Sequence, residues 1–554
     1  MGLNMNKKLK DLAEFGLWIG ILICINILLT EYFFRLDLTG DKRYSVSPVS
    51  EKMLENLSEK IYVEVYLSGS LDPDYQRLKK SIKDKLDEFD IYAAKGLEYR
   101  FVDPNAIADK KIRENYFTQL VKKGIQYRYY LQEEGGKKEE KIIFPGAILA
   151  YKGREVPVMF VKGKKVASQQ EELNQAVEGV EFELISGLRK LSSTQVKHIA
   201  FVEGQGELSK REVSDISTTL SDFYQVDRIQ LQDSSKLSKY ATLIIAAPAK
   251  PYTEKQKFVL DQYLMHGGSL MFLVDALNVH KDSLVNGVTY ALPYNLNLED
   301  LLFRYGVRVN QNLVQDKFSG VIRVQTTQEQ NQVMSYPFYP VIYNYGKHPI
   351  VRNLDAVLTR FANSIDTVKA DGVSKLPLLY TSKDTRVVGA PIQIDLNSLR
   401  QSSNPELYTG GVQHLGVLLE GKFTSLYKNK PLPITGVSFK ENASNSKVMV
   451  ISDGDIIRNE FDTTRNQSFP LGYDMNMRYQ FSNKEFLVNA IDYLAGEEIV
   501  NVRGKEIKLR PLDQDKITDS IAMVRIINLV LPIVLLIVFG IARYYFRKKK
   551  YTSF

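Results

Sequence analysis

Asp453-Gly454-Asp455 follows directly on an apolar run, Lys447 to Ser452, and two carboxylates at the end of a buried strand are what a divalent cation needs. The same residues suit a plainer task, ending the strand and capping the Ile456-Ile457 turn, and that structural role is the one expected. Gly204-Gln205-Gly206 also follows an apolar run and matches half of a pyrophosphate-cradling loop. The third glycine is missing, and Glu203 and Glu207 would repel phosphate, so the segment reads as a turn. There is no Gly-x-x-x-x-Gly-Lys-Ser/Thr loop for a nucleotide and no Gly-x-Ser-x-Gly elbow for a serine nucleophile. His198, His266, His280, His348 and His414 are too scattered for a metal pair, and Cys24, the only cysteine, lies inside an apolar run. The sequence therefore predicts no catalytic residue, no metal and no cofactor.

Binding surfaces are the alternative. Tyr336 to Tyr345 concentrates aromatics between prolines, which suits either an exposed patch or an irregular core, the core being the expectation. Leu36 to Ser47 carries Asp37, Arg43 and Tyr44 close to an apolar run. Arg and Tyr are residue types that anchor protein interfaces, and basic side chains beside a membrane also meet lipid headgroups, so partner and lipid contacts both stand open there.

Two apolar runs must position everything else. Phe15 to Thr30, extended by Tyr32, Phe33 and Phe34, approaches the roughly 20 residues that cross a bilayer core, and Ile526 to Ala542 lies between Arg525 and Arg543. Arg543, Arg547, Lys548, Lys549 and Lys550 follow the second run, and such clusters favour the cytoplasmic side. With two spans both termini share that side, which makes the body, Arg35 to Asp519, extracytoplasmic. The net charge of +8 is spread along the chain apart from that tail, so it marks topology and not nucleic acid. With one cysteine, no internal disulfide can form and the body must be held by its core.

Between the anchors the periodicity gives an α/β fold class. Ile61, Val63 and Val65 alternate as in a strand; Leu78, Ile82, Leu86 and Phe89 line one helix face; Leu97 to Val102 is a second strand. Gln126 to Gln132 and Lys141 to Tyr151 read as strands around a polar turn, Glu133 to Glu140, joined by Glu155 to Val161. Glu171 to Leu191 reads as a connecting helix with Leu173, Val177, Val180, Leu184 and Leu188 on one stripe. His198 to Val202, Leu243 to Ala247, Ser269 to Val274 and Lys447 to Ser452 are short apolar runs suited to a parallel sheet covered on both faces. The expected organisation is a cytoplasmic start at 1–10, a membrane helix at 11–34, an α/β domain of thioredoxin-like size at 35–166 and a connecting helix at 167–195. A doubly wound α/β domain then fills 196–512 around a long insertion at 278–441, followed by a linker at 513–525, a membrane helix at 526–542 and a basic tail at 543–554.

Several short motifs, in order along the chain, resemble one family. Asp37-Leu-Thr39, Lys42-Arg-Tyr-Ser45, Val63-Glu-Val-Tyr66, Phe101-Val-Asp-Pro-Asn105, Glu203-Gly-Gln-Gly-Glu207, Gly267-Gly268, Asp453-Gly-Asp455 with Ile457-Arg458-Asn459, and Lys505-Glu-Ile-Lys-Leu-Arg-Pro-Leu512 are similar to those of gliding-motility ABC-transporter auxiliary proteins of the GldG type. The resemblance implies a bacterial inner-membrane protein that works with a permease and an ATPase, and a second domain resembling class I glutamine-amidotransferase-like folds. The nucleophilic Cys of that fold group is missing, so amidotransferase chemistry is not expected. Three functions follow as expectations: a non-catalytic transporter auxiliary subunit, with a self-associated form left open; a membrane-tethered periplasmic ligand-binding receptor; and, last, a metal-dependent enzyme using Asp453 and Asp455.

Overall fold

The computed structural model describes residues 15–24, 45–134, 137–161, 169–192, 196–231, 237–279, 287–325, 331–352, 354–395, 404–434, 438–462, 467–504 and 514–552. The chain divides into two compact units, Met1–Glu506 and Ile507–Phe554.

The first described element of the first unit is Phe15–Cys24, a short apolar helix. A four-stranded sheet follows, in the order Leu97–Phe101, Ile61–Val65, Gly146–Tyr151, Arg154–Met159. The first two strands are parallel, and helix Pro73–Tyr92 crosses between them. Asp72 caps this helix by accepting from Tyr75 N at 2.8 Å, with Pro73 at the first helical position, where its missing N–H costs nothing. Leu78, Ile82, Leu86 and Phe89 are buried as the spacing predicts, and each aliphatic among them contributes about 1.5–3 kcal/mol by leaving water. The region 126–151 differs from expectation. Arg128–Glu134 pairs with Lys137–Ile143 through the charged stretch read as a turn, and this hairpin is a sheet of its own. Backbone pairing is indifferent to side-chain polarity, whereas the sequence reading took polarity as the sign of a loop.

Helix Gln169–Ser192 is more than a connector. Leu173, Val180, Leu184 and Leu188 are buried in one continuous core that also takes in Ile61 and Leu78 on one side and Ile199 and Ile491 on the other. The two α/β regions thus share an apolar interior.

The larger region is built on an eight-stranded sheet. Five strands are parallel, in the order Tyr224–Gln230, Lys197–Glu203, Tyr240–Ala246, Ser269–Leu273, Ser446–Ile451. His414–Gly421, Val373–Tyr380 and Asn344–Tyr345 continue it antiparallel. These last three come from the stretch 278–441, so part of the expected insertion belongs to the sheet. Side chains alternate between two cores, as period-two geometry requires. Phe201, Ile244, Met271 and Met449 face one core with helices Ser214–Ser221 and Asn483–Leu494, while Val202, Leu243, Phe272 and Val450 face the other with helix Glu254–Met265. Both faces are covered, which is why the inner strands read as continuous apolar runs. Thr253 and Gln256 close a capping box on helix Glu254–Met265, which ends before Gly267 at φ 100°.

The rest of 278–441 forms small sheets around Leu313, Tyr336, Phe338, Phe361 and Ile394, so the proline-flanked aromatics fill an irregular core.

The chain's two leads into and out of this unit meet. Helix Pro48–Glu55 and helix Gln169–Ser192 both pack against the 3₁₀ segment Glu498–Gly504. The described residues of the second unit form one helix, Gln514–Thr552, which continues through Pro532 and includes residues expected to form a linker. Its Ile526–Lys549 portion is the one helix among the described residues long and apolar enough to cross a membrane.

Candidate strand-end cleft

Three adjacent parallel strands finish side by side at Ala246, Leu273 and Ile451, and the residues that follow each, Ala247, Asp275 and Asp453 to Asp455, crowd one corner. The crowding demands a glycine. A Cβ on Gly454 would lie 2.6 Å from both Ala247 Cβ and Asp275 Oδ2, and Gly454 N instead donates to Asp275 Oδ1 at 2.9 Å.

Asp453 is fully buried and its two oxygens face backbone donors. Oδ1 accepts from Asp455 N at 2.9 Å, the strand-ending cap foreseen, and Oδ2 accepts from Arg360 N at 2.7 Å. The second bond ties the stretch 278–441 to the sheet. Asn363 reinforces it, donating from N to Ser452 O at 3.0 Å and accepting from Ala276 N at 2.7 Å. Asp455 is paired with Arg458, whose Nε is 3.1 Å away. The geometry of Asp453 suits a clamp and not a cation ligand, and among the described residues no three His, Cys, Asp or Glu side chains stand together as a metal site.

Arg360 lies under this corner. It pairs with Glu460, comes within 3.7 Å of Asp474 and sits over the Tyr339 ring. Burial opposes its charge, but Glu460, Tyr339, Asp455 and Asp474 outweigh burial and hold it protonated.

Two chambers open here outside the carboxyl ends of the strands, where ligands of open α/β sheets gather. One, about 320 Å³, is polar, lined by Asp275, Asn278, Arg360, Asp455 and Arg458. Its wall includes two non-glycine residues in the left-handed region, Ala247 at φ 49° and Phe361 at φ 53°. The other, about 440 Å³, is lined largely by apolar side chains, among them Val274, Leu296, Leu298, Leu302 and Val309. Asp275 and Tyr294 belong to both. Burial, then the charges of Asp275 and Asp455, raise the Tyr294 hydroxyl above its ordinary pKa. Sequence reasoning reached Asp453 and Asp455 but missed Asp275 and Arg360. Asp275 follows an apolar run as Asp453 does, which was a signal; Arg360 had none.

The other candidates are placed as follows. Gly204 and Gly206 adopt φ 124° and 76°, and Glu207 accepts from Gln205 N at 2.7 Å and Tyr252 OH at 2.6 Å. The segment is a turn whose carboxylate points inward. Asp37, Arg43, Tyr44 and His280 lie outside the described residues. His198 faces Asp227, His266 Nδ1 lies 2.7 Å from Gln262 O, and His414 packs on Tyr380.

His348 is buried; its Nδ1 accepts from Ile350 N at 3.3 Å and its ring packs on Tyr493. Burial lowers its pKa below the ordinary 6.5. The unfolded chain then binds a proton first as pH falls, so stability present above about pH 6.5 is lost through the acid side of that value. His348→Asn keeps an acceptor for Ile350 N without titrating. Urea midpoints measured between about pH 7 and pH 5 are expected to fall less steeply in this variant, with His414 supplying a remaining slope, because burial lowers its pKa as well.

The arrangement defines a class: an α/β body with a ligand-sized, two-chambered cleft outside the ends of its parallel strands. Residues 196–490, which contain that sheet and cleft, match the family described as an ABC-type uncharacterized transport system, and residues 40–150 match a domain of unknown function, DUF7088. The first match covers more than half of the chain, and the chain belongs to that family of ABC-transport auxiliary components. An uncharacterized protein of Borreliella burgdorferi is 22% identical over 564 aligned residues, covering 99% of this chain and all of the relative. Among solved structures, the mmIFT52 N-terminal domain aligns over 54% of this chain and 98% of its own at 14% identity and a TM-score of 0.33.

Proposed function

We propose that this protein is a non-catalytic auxiliary subunit of an ABC transporter whose permease and ATPase are separate chains. The carrying observation is the family match over 196–490. The sequence holds no phosphate-binding Gly-x-x-x-x-Gly-Lys-Ser/Thr loop, so ATP hydrolysis is assigned to a partner in trans. The two apolar runs support anchoring by two spans, 11–34 and 526–542, and the basic tail at Arg543 to Lys550 supports an orientation with both termini in the cytoplasm and the body in the periplasm. The motif resemblance to the gliding-motility type supports a role for the complex in surface movement. Asp37, Arg43 and Tyr44 are proposed to contact the permease or the lipid beside it.

Purification of the tagged chain in mild detergent is expected to recover one permease and one ATPase, and Arg43→Lys with Tyr44→Ala is expected to reduce that recovery without changing membrane insertion. Recovery of neither subunit would sink the auxiliary reading. The cleft supports a second reading, a tethered receptor for a small molecule, which an auxiliary subunit could equally embody.

A further inference from the structure

We propose that the two chambers form one binding site for a small zwitterion with an apolar substituent, an α-amino acid such as leucine or a dipeptide of such residues. The inference rests on the receptor reading of the cleft and names its ligand class.

The polar chamber presents both signs of charge within one small volume, Asp275 and Asp455 against Arg360 and Arg458. A ligand with a single charge would satisfy one pair and face the other, whereas a ligand carrying both an ammonium and a carboxylate can address both. The acidic side has partners to hold it in place: Asp275 is oriented by Gly454 N and Asp455 by Arg458. The basic side has donors to spare. A guanidinium carries five N–H groups, and the two ion pairs of Arg458, Nε with Asp455 at 3.1 Å and Nη2 with Glu212 at 3.4 Å, engage two of its three nitrogens. A ligand carboxylate can take charge-assisted hydrogen bonds from the remaining N–H groups.

Next to these charges, across the shared Asp275 and Tyr294, lies the apolar chamber. Its volume of about 440 Å³ falls in the range of small-ligand pockets, and Val274, Leu296, Leu298, Leu302 and Val309 give an apolar substituent a surface to pack on, with Glu299, Arg308, Asn310 and Gln311 also in the lining. A head that must be charged and a substituent that must be apolar are the defining features of this ligand class. The segment 360–363 that roofs the polar chamber is stitched to the sheet by Asp453, Ser452 and Ala276, so the charged wall is preformed.

The test is calorimetry on the full chain in lipid nanodiscs with L-leucine and L-leucyl-L-leucine, against 4-methylpentanoate, which lacks the ammonium, and 3-methylbutylamine, which lacks the carboxylate. Leucine or the dipeptide is expected to bind, the preferred arm telling free amino acid from peptide, with each single-charge analogue weaker by about tenfold or more. Val309→Trp, which fills the apolar chamber from a half-buried position, and Arg458→Gln are each expected to weaken binding by a similar factor at an unchanged melting temperature. Binding of neither zwitterion, equal binding of a single-charge analogue, or indifference to Val309→Trp at full folding would overturn the proposal. Native mass spectrometry of the gently purified chain separates the two layers of the argument. A retained molecule of another class would end the zwitterion assignment and leave a receptor, while an empty protein that also ignores both zwitterions would end both.

Discussion

Asp492→Ala is expected to lower the stability of the body by about 3–5 kcal/mol, the range for leaving one member of a buried ion pair alone. Asp492 and Arg189 are both buried. Arg189 Nη1 donates to Asp492 Oδ1 at 3.1 Å and Nη2 to the Tyr224 hydroxyl at 3.1 Å, and Glu497 stands 3.4 Å away. Burial raises the Asp492 carboxyl above its usual pKa even though Arg189 and Tyr224 pull it back. The pair is therefore a joint under tension between desolvation and attraction, and the single change leaves a guanidinium inside with less to meet it. Removing both charges with Arg189→Met and Asp492→Leu should restore most of the loss, because the burial cost disappears with the attraction. Urea titrations in detergent of the wild type, Arg189→Met, Asp492→Leu and the double variant give the coupling directly. Additive losses in the double variant would mean that the two residues act independently.

Gly454→Val should cost about 3 kcal/mol, and here no partner change is expected to repair it. The added Cβ would meet the Ala247 side chain, the Asp275 carboxylate and, at 2.9 Å, the Ala247 Cα. Backbone at the end of a parallel sheet cannot retreat without breaking ladder bonds such as Ala247 N to Leu273 O at 2.8 Å. Gly454→Ala carries the same first atom and should show most of the effect. Wild-type melting behaviour of the alanine variant would show that the three strand ends are less tightly joined than the distances say.

The legibility of this chain followed burial. Strands covered on both faces announced themselves as apolar runs, and Ser269–Leu273, all five residues buried, was legible almost to its ends. Tyr224–Gln230 was not, because it lies at the sheet edge, where Asp227 and Arg228 interrupt any run. His414–Gly421 is buried from Leu415 to Leu419 but was hidden by its distance from its neighbours, since its pairing with Ser446–Ile451 is a matter of topology and no local pattern encodes it. The cleft divides in the same way. Asp453 could be found as a carboxylate at the end of a run, but its partner is the backbone of Arg360, 93 residues earlier, and a backbone donor has no signature in a side-chain alphabet.

The packing of Glu498–Gly504 against helix Pro48–Glu55 also has a mechanical meaning. Tension applied between Ser45 and Gly504 enters and leaves the fold at one corner, so the load path runs across the contact between these two short segments and bypasses the eight-stranded sheet. Such a body can be tugged by its leads without being stretched. The first event under load would be the peeling of one lead from the other, a local and re-formable step, while the sheet and the cleft at its strand ends stay mechanically idle.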